Sequence, residues 1–258
     1  MTGFSRYAIY YAPRAGAFAD ATAAWLGWDA ATGRPVPQPD LAELPAPVAD
    51  LTRAPRKYGF HGTIKAPFRL ADGVTEARLR SEVAALAAIL PPARADGLAL
   101  TRLKGFLALL PTGDDIDVIA LGAEVVTALD PLRADLTANE VARRRPDRLT
   151  PRQRHLLDQW GYPYVMEEFR FHLTLTDDLP EAQADQVAQA LGPWLAPVLP
   201  RPFVVEDLCL FAEDAQGRFH LIARHALTGW SAARNRATPS ATVPSLRTSV
   251  TGRPSGTS

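Results

Sequence analysis

The 258-residue sequence is poor in cysteine and in long apolar runs, and each shortage excludes a class of protein. The single cysteine, Cys209, cannot form an internal disulfide or the usual cysteine-rich zinc site. No window approaches the roughly 18 apolar residues of a membrane span. The first residues also lack the basic and apolar segments of a signal peptide. The sequence therefore predicts a soluble, cytoplasmic protein.

The sequence also has no net charge and very little lysine. Residues 1–230 hold 24 basic and 28 acidic side chains, whereas residues 231–258 hold four arginines and no acid. A body with a net charge of −4 does not attract long nucleic acid, so such a partner would need a local basic patch. There are only three lysines, Lys57, Lys65 and Lys104, against 25 arginines.

The apolar pattern predicts a chain of mixed α+β class. Alternating and β-branched runs predict strands at 6–13, 58–68, 98–111, 115–124, 165–176, 203–214 and 218–227. Apolar residues at helical spacing predict helices at 18–29, 75–90, 124–160 and 181–195, with Thr75 as an N-cap. A Ser/Thr/Pro/Arg-rich tail at 231–258 is expected to be disordered.

The predicted elements occur in a repeated order. A histidine-bearing strand is followed twice by a helix, a strand, a hairpin and a strand, which indicates a duplicated α+β lobe. We therefore expect one bilobal domain at 1–230. Its lobes would span about 14–123 and 162–229, and a helical linker would span about 124–160.

Two His-x-Thr triplets, His61-Gly62-Thr63 and His172-Leu173-Thr174, lie on the predicted motif strands. Residues two apart in a strand point to the same face, so each histidine shares a face with its threonine. The same parity places Lys65 beside the first triplet and Arg170 beside the second. Each strand would then present an imidazole, a hydroxyl and a cation in one row.

Such rows suit a phosphoryl group. One imidazole can accept a proton from water while the other donates one to the leaving oxygen. The hydroxyls can bind the non-bridging oxygens. A single triplet would more often be a surface or structural feature, but two triplets with matching cations favour catalysis. Lys57 and Tyr58 precede the first motif and are candidate rim contacts.

The segments "RKYGFHGTIKAPFRLA" and "EEFRFHLTLT" resemble the two-histidine (2H) phosphoesterase superfamily, in particular its phosphonate-metabolism-associated branch. The superfamily includes bacterial RNA 2′,3′-cyclic phosphodiesterases, also known as 2′-5′ RNA ligases. The resemblance implies two antiparallel sheets flanking a central cleft, with helices outside. It also implies that His61 and His172 form the acid/base pair and that Thr63 and Thr174 grip the phosphoryl oxygens.

The function implied is metal-independent opening of 5-phosphoribosyl 1,2-cyclic phosphate to ribose 1,5-bisphosphate in carbon–phosphorus lyase catabolism. Lys65 and Arg170 would hold the C5 phosphate. Two alternatives stay open: an RNA or nucleoside 2′,3′-cyclic phosphodiesterase, with Tyr7, Tyr58 and Phe106 stacking on bases, and a non-catalytic phosphate-ligand or RNA-binding module. We expect a small-molecule substrate as the partner, no cofactor, no metal, no membrane association and a monomeric state. The sequence leaves open which histidine is the base.

Overall fold

The computed structural model describes residues 3–230, so the predicted disorder of residues 231–258 lies outside the described residues. The strands are β1 (Tyr7–Tyr11), β2 (Trp28–Asp29), β3 (Arg34–Pro35), β4 (Gly62–Phe68), β5 (Ala93–Ala95), β6 (Gly97–Leu103), β7 (Phe106–Thr112), β8 (Leu173–Thr174), β9 (Phe203–Val205), β10 (Asp207–Glu213) and β11 (Phe219–Ala226). The α-helices are α1 (Ala17–Leu26), α2 (Val48–Leu51), α3 (Glu76–Ile89), α4 (Ile116–Leu129), α5 (Ala138–Arg143), α6 (Pro151–Trp160) and α7 (Glu181–Leu195).

The α+β class with antiparallel strand pairing is confirmed. Seven strands form one sheet in the order β11-β10-β1-β4-β8-β7-β6, and two smaller sheets pair β2 with β3 and β5 with β9. The large sheet has two parts, β11-β10-β1-β4 and β8-β7-β6. They are joined at the pairing of Gly62 with Leu173.

The repeated element order is present in the structure as β4-α3-β5-β6-β7 and β8-α7-β9-β10-β11. The small strands β5 and β9 pair with each other, as equivalent elements related by a two-fold would. Each hairpin, however, lies on the side of the other motif strand, since β7 pairs with β8 while β10 reaches β4 through β1. The sheet thus combines strands from the two sequence segments expected to form separate lobes.

One predicted element is wrong in type. Residues 115–124, expected to be a strand, begin helix α4, while residues 98–111 form the β6–β7 hairpin by themselves. The buried residues Val118, Leu121, Val125 and Leu129 recur every three or four positions. This helical period becomes visible only when the segment is read past Glu124.

The motif strands are also shorter than expected. A 3₁₀ turn over Pro55–Lys57 and a positive φ of 70° at Gly59 delay β4 until Gly62. A second 3₁₀ turn, Met166–Glu168, precedes the two-residue strand β8. Both histidines therefore lie immediately before a strand rather than within it.

The main core lies between one face of the sheet and the helices. Ile9, Ile64, Leu109 and Leu173 contribute from the strands, and α3, α4 and α7 contribute their apolar faces. Thr75 caps α3 as predicted, because its side chain accepts a hydrogen bond from the Arg78 amide. Among residues 3–230, no helix combines the length and hydropathy needed to cross a bilayer.

The opposite face is covered only in part. A smaller apolar cluster of Tyr10, Trp28, Phe211 and Phe219 packs on it near β1 and β10. Beside this cluster, where β4 meets β8, the face stays open to solvent and forms a cleft. The fold thus buries one face of the motif strands and leaves the other accessible.

The close approach of the motif strands depends on the absence of a side chain at Gly62. A Cβ atom at this position would overlap Cζ of Phe171, whose ring is buried beside the second motif. No side chain tolerates such an overlap without movement of the ring or of the strand. Gly62 is therefore a packing requirement of the pairing between β4 and β8.

We expect Gly62→Ala to destabilise the fold by about 1–3 kcal/mol, because the new methyl group overpacks Phe171. Urea unfolding measures this change. The double variant Gly62→Ala/Phe171→Leu should lose less stability than the sum of the losses in the two single variants, because the smaller leucine leaves room for the new methyl group. The control is Gly192→Ala in helix α7, where a Cβ atom would lie 3.8 Å from the side chain of Leu100, an ordinary van der Waals distance. It should be neutral or stabilising by up to ~1 kcal/mol. Equal destabilisation by both alanines would contradict this account.

Candidate active site

The cleft consists of two adjoining compartments on the open face of the sheet. The first has a volume of about 420 Å³ and contains His61, Thr63 and Thr174. The second has a volume of about 300 Å³ and contains His172 and Arg170. The compartments share wall residues, namely Thr63, Ala66, Phe106 and Tyr162. The structure therefore brings both His-x-Thr triplets to one continuous cleft.

The register of the motif strands places each histidine beside the other strand's threonine. Gly62 pairs with Leu173 in antiparallel orientation, so one step outward sets His61 opposite Thr174 and Thr63 opposite His172. Directly opposed Cβ atoms lie about 4.5–5.5 Å apart, and diagonal neighbours about 7–8 Å apart. The histidines are the diagonal pair. This spacing leaves room for one phosphoryl group between them.

Both imidazoles are oriented by the same local contact. Nδ1 of His61 lies 2.9 Å from the Gly59 carbonyl oxygen, and Nδ1 of His172 lies 2.7 Å from that of Arg170. A carbonyl oxygen can only accept, so Nδ1 carries the hydrogen in both rings. Each Nε2 is then left to exchange a proton with a ligand. Gly59 itself has a positive φ of 70°, a conformation that glycine adopts readily.

His61 is held in an aromatic setting. Its ring lies over Tyr10 with a centroid distance of 4.0 Å and beside Tyr58 at 5.6 Å. The pKa of His61 is lowered to about 4, mainly by desolvation and in part by the nearby His172, while the hydrogen bond to Gly59 opposes the decrease. The imidazole is therefore neutral at neutral pH in the free protein.

The two motif threonines have hydroxyl groups available to a ligand. Thr63 and Thr174 both line the first compartment, and their hydroxyls have no hydrogen-bond partner within residues 3–230. Thr176 differs: it is buried, and its hydroxyl accepts a hydrogen bond from the Leu107 amide at 2.9 Å. The threonine of each triplet is thus free, whereas the next threonine along the second motif has a structural role.

Lys65 does not share the face of His61 and Thr63, contrary to the prediction from strand parity. Thr63 pairs with Tyr10 but Lys65 pairs with Ile9, so a β-bulge inserts Ile64 between them and reverses the alternation. The Lys65 side chain is 4% exposed. Its Nζ donates to the Val126 carbonyl and lies 3.5 Å from Asp130. Lys65 ties β4 to the end of α4 and does not face the cleft.

Two further candidate contacts do not line the cleft. Tyr7 points to the helix-covered face, where it is buried and its hydroxyl donates to Glu76 at 3.0 Å. The alternation of β1 instead brings Tyr10 to the site. Lys57 is exposed on the 3₁₀ turn and lines neither compartment. Tyr58 does line the first compartment, with its ring stacked on Phe219.

Two cationic cleft residues were not assigned to the site from the sequence. Arg144 comes from the basic run "ARRRPDR" and stacks on Tyr162, with its Cζ 4.8 Å from the ring centroid. Lys104 lines the second compartment from the β6–β7 turn. The rarity of lysine was the signal that could have pointed to Lys104. Arg144 could not be separated from its exposed neighbours without knowing where α5 ends.

Acidic groups at the cleft are few. Asp177 and Asp178 line the first compartment, and Asp177 accepts a hydrogen bond from the Ala54 amide at 2.7 Å. Arg6 also reaches this wall, but it forms a two-point ion pair with Glu213 at 2.5 and 2.6 Å. Within residues 3–230 there is no cluster of three or more His, Cys, Asp or Glu side chains with the arrangement of a metal site.

The chain belongs to a protein family described as "Protein of unknown function (DUF1045)", whose model matches residues 63–220. It is 38% identical over 219 residues to a protein of Janthinobacterium sp. (strain Marseille) named ribose 1,5-bisphosphate phosphokinase PhnN, covering 83% of this chain and 48% of that protein. A protein of the same name from Laribacter hongkongensis is 36% identical over 226 residues, covering 85% and 51%. The chain thus spans about half the length of these curated relatives.

The chain is also similar to several solved structures. They include a crystal structure described as a phosphoesterase, at 14% identity, and LigT of E. coli complexed with 3′-AMP, at 16%. Each of these two alignments covers 88% of this chain and 99% of the other chain, with a TM-score of 0.40. TT0787 of Thermus thermophilus is 14% identical, covers 87% and 98%, and has a TM-score of 0.43. At these TM-scores the site residues, rather than the neighbours, carry the functional interpretation.

The lowered pKa of His61 predicts a pH-dependent stability. Between about pH 4 and 6.5 the unfolded chain binds a proton at this residue and the folded chain does not, so stability falls as the pH falls through this window. We expect the wild type to lose about 1–3 kcal/mol more than His61→Gln when urea unfolding at pH 7 is compared with pH 4.5.

His155→Gln removes an exposed histidine from α6 and is the control for this measurement. The change in the free energy of unfolding between the two pH values is compared between the wild type and His61→Gln. The contribution of carboxyl groups that titrate in the same range is common to both and cancels in the difference. Identical pH dependence in the wild type and in His61→Gln would show that His61 is not desolvated in the folded chain.

Proposed function

We propose that this member of the DUF1045 family is a cyclic phosphodiesterase that opens a small cyclic sugar phosphate without a metal ion. The observation that carries the proposal is the pairing of two His-x-Thr triplets in one cleft, where each histidine has a partner at Nδ1 and none at Nε2 among residues 3–230. Paired imidazoles about one phosphoryl group apart supply the acid and the base of a hydrolysis. The preferred substrate is 5-phosphoribosyl 1,2-cyclic phosphate.

The reaction needs one water molecule and two proton transfers. Water attacks phosphorus and transfers a proton to one imidazole, while the bond from phosphorus to the C2 oxygen breaks. The other imidazole donates a proton to that oxygen, leaving the phosphate on C1. His61 is assigned the role of base, because its lowered pKa keeps it in the neutral form that accepts a proton. His172 is then the acid.

The non-bridging oxygens have donors on both sides of the cleft. The free hydroxyls of Thr63 and Thr174 reach them from the two motif strands. Arg144 adds a cation that is oriented by stacking on Tyr162 and has no carboxylate partner within residues 3–230. Donors fixed before the reaction stabilise the charge that develops on the transferring phosphoryl group.

The names of the curated relatives support a ribose phosphate as substrate. They describe a kinase that acts on ribose 1,5-bisphosphate, which is the product proposed here. This sequence contains no G-x-x-x-x-G-K-[S/T] loop for nucleotide phosphates. The absence of this loop supports assigning the kinase activity to the half of those relatives that this chain does not span. The half that this chain spans would then be a hydrolase that produces the substrate of the kinase.

A second candidate function is hydrolysis of nucleoside 2′,3′-cyclic phosphates. The observation that favours it is the aromatic lining of the second compartment, where Phe106 and Tyr164 present faces on which a base could stack. This substrate has a single, reacting phosphate, so the two candidates differ in the charge carried by the rest of the molecule. Measuring kcat/KM for both substrate types decides between them.

The main test is hydrolysis by EDTA-treated protein of 5-phosphoribosyl 1,2-cyclic phosphate and of 2′,3′-cyclic nucleotides. We expect activity on the sugar phosphate to survive EDTA and to fall by about 10²–10⁴-fold in His61→Ala and in His172→Ala, the usual contribution of an acid or base. Activity that requires added metal, or that persists in both variants, would refute the mechanism.

The separate roles can be tested with an aryl phosphodiester such as bis(p-nitrophenyl) phosphate. Its leaving group departs without protonation, so loss of the acid matters less than loss of the base. His172→Ala should therefore retain much more of the wild-type rate on this substrate than His61→Ala does. The reverse order would exchange the two assignments and leave the overall function intact.

Arg144 provides a further prediction. Arg144→Gln should lower kcat/KM by about 10–100-fold, the range for losing a hydrogen bond to a charged group. Arg143→Gln is a matched control, because Arg143 is an adjacent exposed arginine that does not line the cleft. Steady-state kinetics with equal losses in the two variants would indicate a general effect of charge rather than contact with the substrate.

A further inference from the structure

The second compartment of the cleft differs in chemistry from the first. The first contains His61 and both motif threonines, whereas the second extends from His172 past Phe106 and Tyr164 to two cations, Lys104 and Arg170. A phosphoryl group between the histidines would leave this space for the rest of the substrate. Its wall therefore bears on which substrate is accepted.

Lys104 is held in an unfavourable backbone conformation. It is the first residue of the two-residue turn between Leu103 and Phe106, with a φ of 58°. A positive φ at this position favours glycine and costs another residue roughly 1 kcal/mol or more. Gly105 completes the turn. The residue with the strained backbone, Lys104, is therefore the one whose side chain lines the cleft. Its Nζ lies 5.7 Å from the ring centroid of Tyr164.

Arg170 faces the same space with unused donors. Its Nη1 donates to the carbonyls of Glu167 and Phe169, at 3.1 and 2.7 Å, which fixes the guanidinium at the rim. The Nε and Nη2 hydrogens have no partner within residues 3–230, and neither Arg170 nor Lys104 forms an ion pair there. A guanidinium with free donors is suited to a phosphate group.

The wall of the second compartment also contains an acidic side chain, Glu168. Glu168 accepts one hydrogen bond, from Gln153 at 3.0 Å, which leaves capacity to accept from hydroxyl groups. Two cations, one carboxylate and two aromatic faces fit a sugar that carries a phosphate better than an uncharged sugar. A base would use the aromatic faces but would leave both cations without a partner.

We propose that the second compartment is an anion subsite in which Lys104 and Arg170 bind the non-reacting phosphate of the substrate. The inference rests on the proposed function for the position of the reacting phosphoryl group. It replaces Lys65, which the β-bulge turns away from the cleft, with Lys104 as the partner of Arg170. The subsite selects sugar bisphosphates over singly phosphorylated analogues.

The test measures binding rather than turnover, so that it stands apart from the proposed reaction. Calorimetry compares the Kd of ribose 1,5-bisphosphate with that of ribose 1-phosphate, which lacks the second phosphate. Lys104→Gln and Arg170→Gln should each weaken binding of the bisphosphate by about tenfold and leave that of ribose 1-phosphate unchanged. Lys104→Arg should retain most of the affinity.

Arg94→Gln removes the same charge from the separate β5–β9 sheet and should change neither Kd. Lys104→Gly adds a second criterion, since it should lose affinity for the bisphosphate while its Tm equals or exceeds that of the wild type. Equal losses for both ligands, or no loss for either, would overturn the subsite. Failure to hydrolyse any cyclic phosphate would overturn the proposed function, while a selective loss of bisphosphate binding would still support the subsite.

Discussion

The site depends on one contact between backbones, the pairing of Gly62 with Leu173. This pair joins the two parts of the large sheet and lies between the two histidines in register. It is possible only because Gly62 has no side chain where the ring of Phe171 packs. The glycine in the middle of the first triplet therefore sets the distance between the two histidines.

Other contacts position the two strands that form this pairing. Because β8 pairs with β7 while β4 pairs with β1, each motif strand is held in position by strands from outside its own repeat. Trp25 adds a link from α1, donating to the Leu175 carbonyl at 2.8 Å within the core. The two triplets are therefore held together by the Gly62–Leu173 pairing, the Trp25 hydrogen bond and the core that both parts of the sheet share.

The sequence predicted the elements that depend on local pattern. The α+β class and the cap at Thr75 are present in the structure. A repeated element order is present too, but its first copy ends with the β6–β7 hairpin and not with the strand expected at 115–124. The positions of Lys65 and Tyr7 could not be obtained in this way. Strand parity assumes an unbroken alternation, and the bulge at Ile64 is a property of the pairing with β1 rather than of the residues in β4. The side of β1 that faces the cleft likewise depends on where the helices pack.

The electrostatics of the cleft follow a similar division. Composition revealed that lysines are rare but could not show which of three would be buried, exposed or at the cleft. The structure gives each a different setting: Lys65 lies in the core, where desolvation lowers its pKa to about 8, Lys57 is exposed on a 3₁₀ turn, and Lys104 lies in a strained turn at the cleft. Burial opposes the charged form of an amine, which accounts for the lowered pKa of Lys65. The fold thus separates the two lysines: the bulge in β4 turns Lys65 toward helix α4, whereas the β6–β7 turn places Lys104 at the second compartment of the cleft.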